Sequence, residues 1–284
     1  MDIENIKSVA VVGAGTMGQG IAQMAAMAGY PTLMYDIKKE ILKDGLDKIS
    51  TNLDKGIEKG KLTGEQKKTA LELIRTSDNI EDVVADIVVE AVLEKLEIKQ
   101  ELFKTLEEIN DASALLTSNT SSIPITQIAA KLKYPERFAG MHFFNPAHIM
   151  KLVEVISGAA TSEDTVISVK AFAEKLGKVA VVAKDSPGFI VNRVARHFYV
   201  ESLKALEEGV ADVETIDKLI KASGFRMGPF ELMDLIGVDT NFSVTTSMFN
   251  AFHQDSKFRP SRIQQQKVDA GHHGRKTGKG FYDY

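Results

Sequence analysis

An apolar run, Val9-Ala10-Val11-Val12, ends at once in Gly13-Ala14-Gly15-Thr16-Met17-Gly18. In such a turn the first glycine permits a sharp reversal after a strand and the second lets backbone approach a pyrophosphate. The third lets the following helix pack closely on the sheet. Exposed N–H groups and the positive end of a helix dipole then lie beneath an anion. Glycine-rich turns also arise without ligands, so the surrounding residues matter. A helical stretch over residues 20–28 follows, then a second apolar run over 32–35, and then Asp36. An acid about 20 residues past the motif can accept hydrogen bonds from both ribose hydroxyls of a dinucleotide. Its charge repels a 2′-phosphate, so Gly13, Gly15, Thr16, Met17, Gly18 and Asp36 together predict NAD rather than NADP. Read by itself, Asp36 would serve equally as an N-cap for a helix starting near Lys38.

With 284 residues the chain has room for one large unit or two domains. At 44% hydrophobic and 26% charged residues it reads as an ordinary globular protein. The net charge of −4 argues against a broad nucleic-acid surface. The absence of cysteine removes disulfides, thiolate catalysis and thiolate zinc sites, and no metal is expected. No apolar run approaches the roughly 18 residues of a membrane span. Met1-Asp2-Ile3-Glu4 lacks the basic start of a signal peptide, so a cytoplasmic location is expected.

Short apolar runs alternate with amphipathic stretches as far as residue 183, the pattern of a parallel sheet with crossover helices. Further strands are predicted over 74–77, 86–90, 115–118, 138–142, 152–156 and 179–182. Helices are predicted over 38–59, 63–73, 95–109, 124–132 and 163–176. The charged stretch between Asp36 and Ile74 exceeds a minimal crossover and reads as a projecting helical pair, an insertion near 38–73. At Asp185-Ser186-Pro187-Gly188-Phe189 the pattern changes, and helices over 189–208, 213–223, 229–236 and 240–252 follow. The predicted fold class is therefore α/β, a Rossmann-type doubly wound, mostly parallel sheet over 1–185 with a smaller all-helical C-terminal domain over 186–284. Phe198, Tyr199, Phe225, Phe230, Phe242, Phe249 and Phe252 in that domain suggest packing against a twin, hence a homodimer.

A hydride acceptor needs a group that moves the accompanying proton, and histidine is the usual one. His148, His197, His253, His272 and His273 fall in helical, turn or polar segments. His142 ends the strand Phe138-Ala139-Gly140-Met141, and the turn Asn145-Pro146 sends the chain into a second strand bearing Glu154. Two strands so joined can place the carboxylate beside the imidazole, where it fixes the tautomer and stabilises the imidazolium. A strand-end histidine and an edge-strand glutamate with no catalytic role would produce the same letters.

Other blocks weigh on that choice: Val89-Glu90-Ala91, Ser118-Asn119-Thr120-Ser121-Ser122, Met141-His142-Phe143-Phe144-Asn145-Pro146, Lys151-Leu152-Val153-Glu154-Val155, Asp185-Ser186-Pro187-Gly188-Phe189-Ile190-Val191-Asn192-Arg193 and Gly278-Lys279-Gly280-Phe281-Tyr282. With the glycine turn, these resemble the short-chain 3-hydroxyacyl-CoA dehydrogenase family nearly end to end, most closely its bacterial 3-hydroxybutyryl-CoA members. The resemblance implies NAD-dependent oxidation of (S)-3-hydroxyacyl-CoA to 3-ketoacyl-CoA and the reverse reduction, as in fatty acid and butyrate metabolism. It implies a general base at His142, its carboxylate partner at Glu154, and substrate hydrogen bonds from Ser121 and Asn192. It also implies that Glu94, Lys99 and Asn119 lie near the cofactor. In keeping with where the family binds its acyl carrier, Lys55, Lys59 and Lys61 are candidates for the CoA phosphates, although a charge run also reads as a solvated helix face. Arg275-Lys276-Thr277-Gly278-Lys279 reads equally as a soluble tail. Two other functions fit the plan: a dehydrogenase of free hydroxyacids, and a non-catalytic NAD-binding relative.

Overall fold

The computed structural model describes residues 5–284, so the reading of Met1-Asp2-Ile3-Glu4 lies outside the described residues. The chain divides between Ser186 and Pro187 into two compact units.

The first unit holds eight strands: β1 (Val9–Val12), β2 (Thr32–Tyr35), β3 (Ile74–Ser77), β4 (Ile87–Glu90), β5 (Leu115–Ser118), β6 (Phe138–Phe143), β7 (Leu152–Ser157) and β8 (Val179–Lys184). They lie in the order β3-β2-β1-β4-β5-β6-β7-β8. Every described pairing is parallel except that of β6 with β7. β1, β4 and β5 are buried along their whole length, which is why they read as continuous apolar runs rather than alternating ones. The strand order reverses between β1 and β4, so a crevice opens beyond their carboxyl ends, where α/β sheets bind ligands.

Six helices belong to this unit: α1 (Thr16–Met27), α2 (Lys39–Glu58), α3 (Gly64–Glu72), α4 (Leu96–Ile109), α5 (Ile125–Ala129) and α6 (Glu163–Lys175). α1 starts at Thr16, four residues before the sequence suggests, because Gly18 and Gly20 carry low helix propensity and hide its first turns. α2 and α3 fill the insertion. α3 opens with a reciprocal capping box between Thr63 and Gln66. α2 buries Leu42, Ile49 and Leu53 in one core with Ile21, Ala22 and Ala25 of α1, so the helix is anchored along its inner face. β6 runs one residue past His142, which therefore sits inside the strand rather than at its end.

The second unit is helical: α7 (Val191–Glu207), α8 (Val213–Ala222), α9 (Pro229–Ile236), α10 (Val238–Ala251) and α11 (Arg262–Asp269). The sequence reading passed over α11, whose polar face pattern, Arg262-Ile263-Gln264-Gln265-Gln266-Lys267, shows no apolar stripe. Tyr199, Leu203, Phe230 and Met233 form the unit's core, with Phe281 and Tyr282 packed against them. The aromatic pattern thus divides: Phe230 and Tyr199 are buried, whereas Phe225 remains exposed while stacking on Phe198. Residues 275–279 are exposed, and the residues just after them are anchored. Asp234 accepts from Phe281 N and Tyr282 N, both at 2.9 Å. Asp217 accepts from Phe230 N and Glu231 N at the start of α9 and, at 2.9 Å, from the Tyr282 hydroxyl. Gly280 lies against the Asp234 carboxylate where any Cβ would overlap it, which accounts for the glycine in Gly278-Lys279-Gly280-Phe281-Tyr282.

Candidate active site

The glycine turn separates into packing positions and an open one. Gly13 has φ +100°, and a Cβ there would come 2.7 Å from the Ala91 carbonyl oxygen. A Cβ on Gly18 would overlap the Gly13 carbonyl, so the third glycine is what lets α1 close on β1. Around Gly15 nothing lies within 4 Å of the Cβ position, leaving backbone open for a phosphate at the first turn of α1, where Thr16 and Met17 begin the helix. Asp36 stands beside this turn: its Oδ2 accepts from Ala14 N at 3.0 Å and its Oδ1 from Lys38 N at 3.1 Å. It is not the cap of α2, which starts at Lys39 with Lys38 in the cap position and no side-chain cap. A cavity of about 520 Å³ runs along Gly13, Gly15 and Asp36 to Ile37, Ile41, Leu93 and Ile98. These apolar walls were missed in the sequence. The available signal was a large apolar residue, Ile37, directly after the acid; the structure leaves it exposed. An open phosphate cradle, an acid at ribose position and an apolar slot for a flat base fit a dinucleotide.

Beyond β4 lies a buried ionic cluster. Lys99, 1% exposed on α4, donates to Glu90 Oε1 at 2.6 Å and pairs with Glu94 Oε2 at 3.2 Å. Glu90 also accepts from Val92 N at 2.7 Å and, through its other oxygen, from Ser118 Oγ at 2.6 Å. Glu94 Oε1 gathers Thr120 Oγ1 at 2.6 Å, Ser121 N at 2.9 Å and Ser122 N at 3.2 Å. Burial pushes the Glu90 carboxyl above the usual carboxylate range even with Lys99 opposing it. At Glu94 burial also pushes upward, but the Lys99 charge and the hydrogen bonds from Thr120 and Ser121 prevail and hold it below that range. Glu94 and Lys99 are thus brought together at the loop that carries Ser121, and Lys99 is enclosed by carboxylates. Glu90 and Ser118 were not singled out, since a glutamate closing the run Ile87-Val88-Val89 gives no hint of its partners.

Asn119 joins β5 to β6: its Oδ1 accepts from Phe143 N at 2.8 Å, one residue past His142. The antiparallel register sets His142 directly opposite Glu154. Such cross-strand neighbours have side chains on one face. His142 Nδ1 lies 2.8 Å from Glu154 Oε2, within hydrogen-bond distance, with His142 5% and Glu154 0% exposed. Phe144 packs on the imidazole, ring centroids 4.5 Å apart. Lys178 pins the following turn by donating to the carbonyls of Ala147 and Met150 at 2.6 and 2.7 Å. Burial lowers its pKa to about 8. Ser121 is half-buried on its loop, and Asp185 caps the helix that follows by accepting from Ile125 N and Thr126 N. In the second unit Asn192 is half-buried in the first turn of α7. Lys55 and Lys59, at the end of α2, are exposed, as is Lys61.

A glycine cradle beneath a helix, an acid beside it, and an imidazole–carboxylate pair in the same sheet define a nicotinamide-dependent oxidoreductase class. Comparison gives the family. Residues 8–186 match the 3-hydroxyacyl-CoA dehydrogenase NAD binding domain, and residues 188–284 match the 3-hydroxyacyl-CoA dehydrogenase C-terminal domain. The chain belongs to the 3-hydroxyacyl-CoA dehydrogenase family, and its cofactor is NAD.

Among relatives, it is 50% identical over 282 residues to the 3-hydroxyadipyl-CoA dehydrogenase of Escherichia coli K12, covering 99% of this chain but 59% of that protein. It is 46% identical to the probable 3-hydroxybutyryl-CoA dehydrogenase of Bacillus subtilis 168, covering 98% of each. The crystal structure of (S)-3-hydroxybutyryl-CoA dehydrogenase from Ralstonia eutropha superposes with a TM-score of 0.95 at 41% identity, covering 99% of both chains. Among the described residues no helix is long and apolar enough to cross a membrane.

Proposed function

We propose that this chain oxidises short (S)-3-hydroxyacyl-CoA thioesters to 3-ketoacyl-CoA with NAD and catalyses the reverse reduction, 3-hydroxybutyryl-CoA being the simplest substrate. The observation that carries the reading is the hydrogen bond from His142 Nδ1 to the fully buried Glu154. With Nδ1–H committed to the carboxylate, Nε2 takes the proton of the 3-hydroxyl as general base, and Glu154 stabilises the imidazolium that results. NAD, when bound, would supply the hydride acceptor for C3. In reduction, the protonated His142 returns its proton to the developing alkoxide, so lower pH favours the hydroxy product.

Around that step the chain supplies position. Gly15, Thr16 and Met17 would present backbone to the cofactor's phosphates, Asp36 would take the ribose hydroxyls, and Ile37, Ile41, Leu93 and Ile98 would flank the adenine. Ser121 and Asn192 hydrogen-bond the acyl portion of the substrate. Glu94, held by Lys99, fixes the backbone of Ser121, and Asn119 fixes the strand that carries His142. Lys55 and Lys59, exposed and facing solvent, meet the CoA phosphates. We also infer a homodimer built on the helical unit, where Val194, Leu219, Phe225, Leu235 and Ile236 are exposed apolar side chains. Light scattering on the purified protein checks the dimer.

The deciding assay follows NADH oxidation with C4, C8 and C12 3-ketoacyl-CoA, with free acetoacetate and NADPH as controls. Turnover of acetoacetyl-CoA with NADH supports the reading. Turnover of acetoacetate instead makes the chain a hydroxyacid dehydrogenase, and saturable NADH binding with no turnover of any thioester makes it a non-catalytic relative.

A further inference from the structure

Lys178 stands between α6 and β8, half-buried, and among the described residues it pairs with no carboxylate. Its ammonium donates instead to two main-chain carbonyls of one turn, Ala147 at 2.6 Å and Met150 at 2.7 Å. Among the described residues no other donor reaches either oxygen. Charged groups around it include His148 and Lys55, both basic: after burial, the charges of Lys178 and Lys55 lower the pKa of His148. Keeping a cation beside cations in a partly desolvated place is unfavourable. A lysine with no such duty keeps its head in water. The clamp therefore needs a purpose beyond packing, and the turn it holds shows one.

That turn, residues 144–151, joins β6, which carries His142, to β7, which carries Glu154. At its start Phe144 packs on the His142 imidazole, ring centroids 4.5 Å apart. In its middle Ala147, 1% exposed, lies against Gly20 of α1, where a Cβ would come 3.0 Å from the Ala147 Cβ. Gly20 is about one helical turn beyond Thr16, where the glycine cradle opens into α1. One turn therefore touches both the imidazole and the helix beneath the cofactor. Ile149 N and Met150 N both donate to the Pro146 carbonyl, a single helical turn whose later carbonyls have no partner within it. Lys178 caps that turn with positive charge at its C-terminal end. Val179 N donates to the Lys151 carbonyl at 2.8 Å, so the backbone next to Lys178 holds the same stretch. We propose that Lys178 is a positioning residue for the proton transfer: through the carbonyls of Ala147 and Met150 it fixes the turn that sets the His142 imidazole relative to the cofactor helix. The inference rests on the reading above, in which His142 is the general base. A turn released from the clamp leaves the strands paired, because the ladder from Gly140–Ile156 to Phe143–Val153 does not involve it. What is lost is the fixed seat of Phe144 and Ala147, and a misplacement of about 1 Å can cost about 10²-fold in rate.

The test follows NADH-dependent reduction of acetoacetyl-CoA by Lys178→Met, which keeps an apolar stem but removes the donors and the charge. Its kcat is expected to fall about 10- to 10²-fold while the dissociation constant for NADH stays within about twofold. With deuterium at the transferred position of NADH, the isotope effect on kcat should rise in the variant, since chemistry and not product release is slowed. The His142 Nδ1–H proton resonance, identified by its loss in His142→Gln, should move. Lys178→Arg, which keeps charge and donors, should recover most of the rate. Ser162→Ala serves as control: it removes the N-cap at the opposite end of α6 and should lower the melting temperature with kcat unchanged. A kcat for Lys178→Met within about twofold of wild type overturns the proposal, and so does a rate loss that Ser162→Ala matches at equal loss of melting temperature. If Lys178→Met fails to fold, Lys178→Gln decides, because its shorter, uncharged amide can reach at most one of the two carbonyls: an unchanged kcat and an unmoved resonance overturn the proposal. A wild type that reduces no thioester rejects the dehydrogenase reading itself, whatever the variants do.

Discussion

Glu154 and Glu90 are both fully buried carboxylates in the first unit, each facing a basic side chain, yet the two are arranged for opposite ends. Glu154 meets an imidazole across an antiparallel pair, and imidazole is the side chain that exchanges protons near neutral pH. Glu90 meets Lys99, Ser118 and the Val92 amide at once, and Lys99 in turn bridges to Glu94. An ammonium shared by two carboxylates at this depth keeps three chain segments together. The difference teaches that a buried ion pair announces proton transfer only when one partner can change state; otherwise it fastens structure.

Four experiments bear on that contrast. The largest expected effect is on rate: His142→Gln should slow turnover by about 10²–10⁴-fold while the dissociation constant for NADH stays within about twofold. Unchanged single-turnover kinetics would place the proton transfer elsewhere and erase the distinction. Lys99→Met strands Glu90 in the core and should cost about 3–5 kcal/mol in denaturant unfolding, most of it recovered when Glu90→Leu is added. A cost near zero would mean that the cluster fastens nothing. Glu154→Gln removes a hydrogen bond to a charged group and should slow the rate by about 10- to 10²-fold with a displaced pH–rate profile. A profile that coincides with wild type would reduce Glu154 to a structural neighbour.

The smallest effect concerns Glu94, whose folded pKa is depressed. Its contribution to stability is present above the usual carboxylate range and lost as pH falls through the folded value. Glu94→Gln should therefore be less stable than wild type by about 1 kcal/mol at pH 7, a modest figure because its carboxylate is partly exposed to screening solvent. Urea unfolding from pH 7 down to pH 3 should show that gap closing; a gap constant with pH would deny the ionised carboxylate its role.

Much of the first unit was legible because its signals are local. β1, β2, β3 and β5 start and stop where the sequence predicts. Helix edges were less legible where glycine carries a function, as at the start of α1, and α11 was hidden because its one fully buried residue is a glutamine. The His142–Glu154 pair was legible because a short turn between two strands limits the register to a few choices, and one of them sets these side chains opposite each other. What the C-terminal block does stayed open in the sequence because the anchors of Phe281 and Tyr282, Asp217 and Asp234, lie far upstream.

The letters alone determined the glycine cradle, the acid beside it, the alternation that builds a parallel sheet, and the strand–turn–strand that unites His142 with Glu154. Each depends on residues close in sequence, through backbone sterics and side-chain periodicity. Tertiary structure decided which carboxylate holds Lys99, that Glu94 gathers the Ser121 loop, and that Lys178 clamps the turn after His142. Desolvation and choice of partner depend on segments remote along the chain, and a charge reveals its purpose only when it is known what surrounds it.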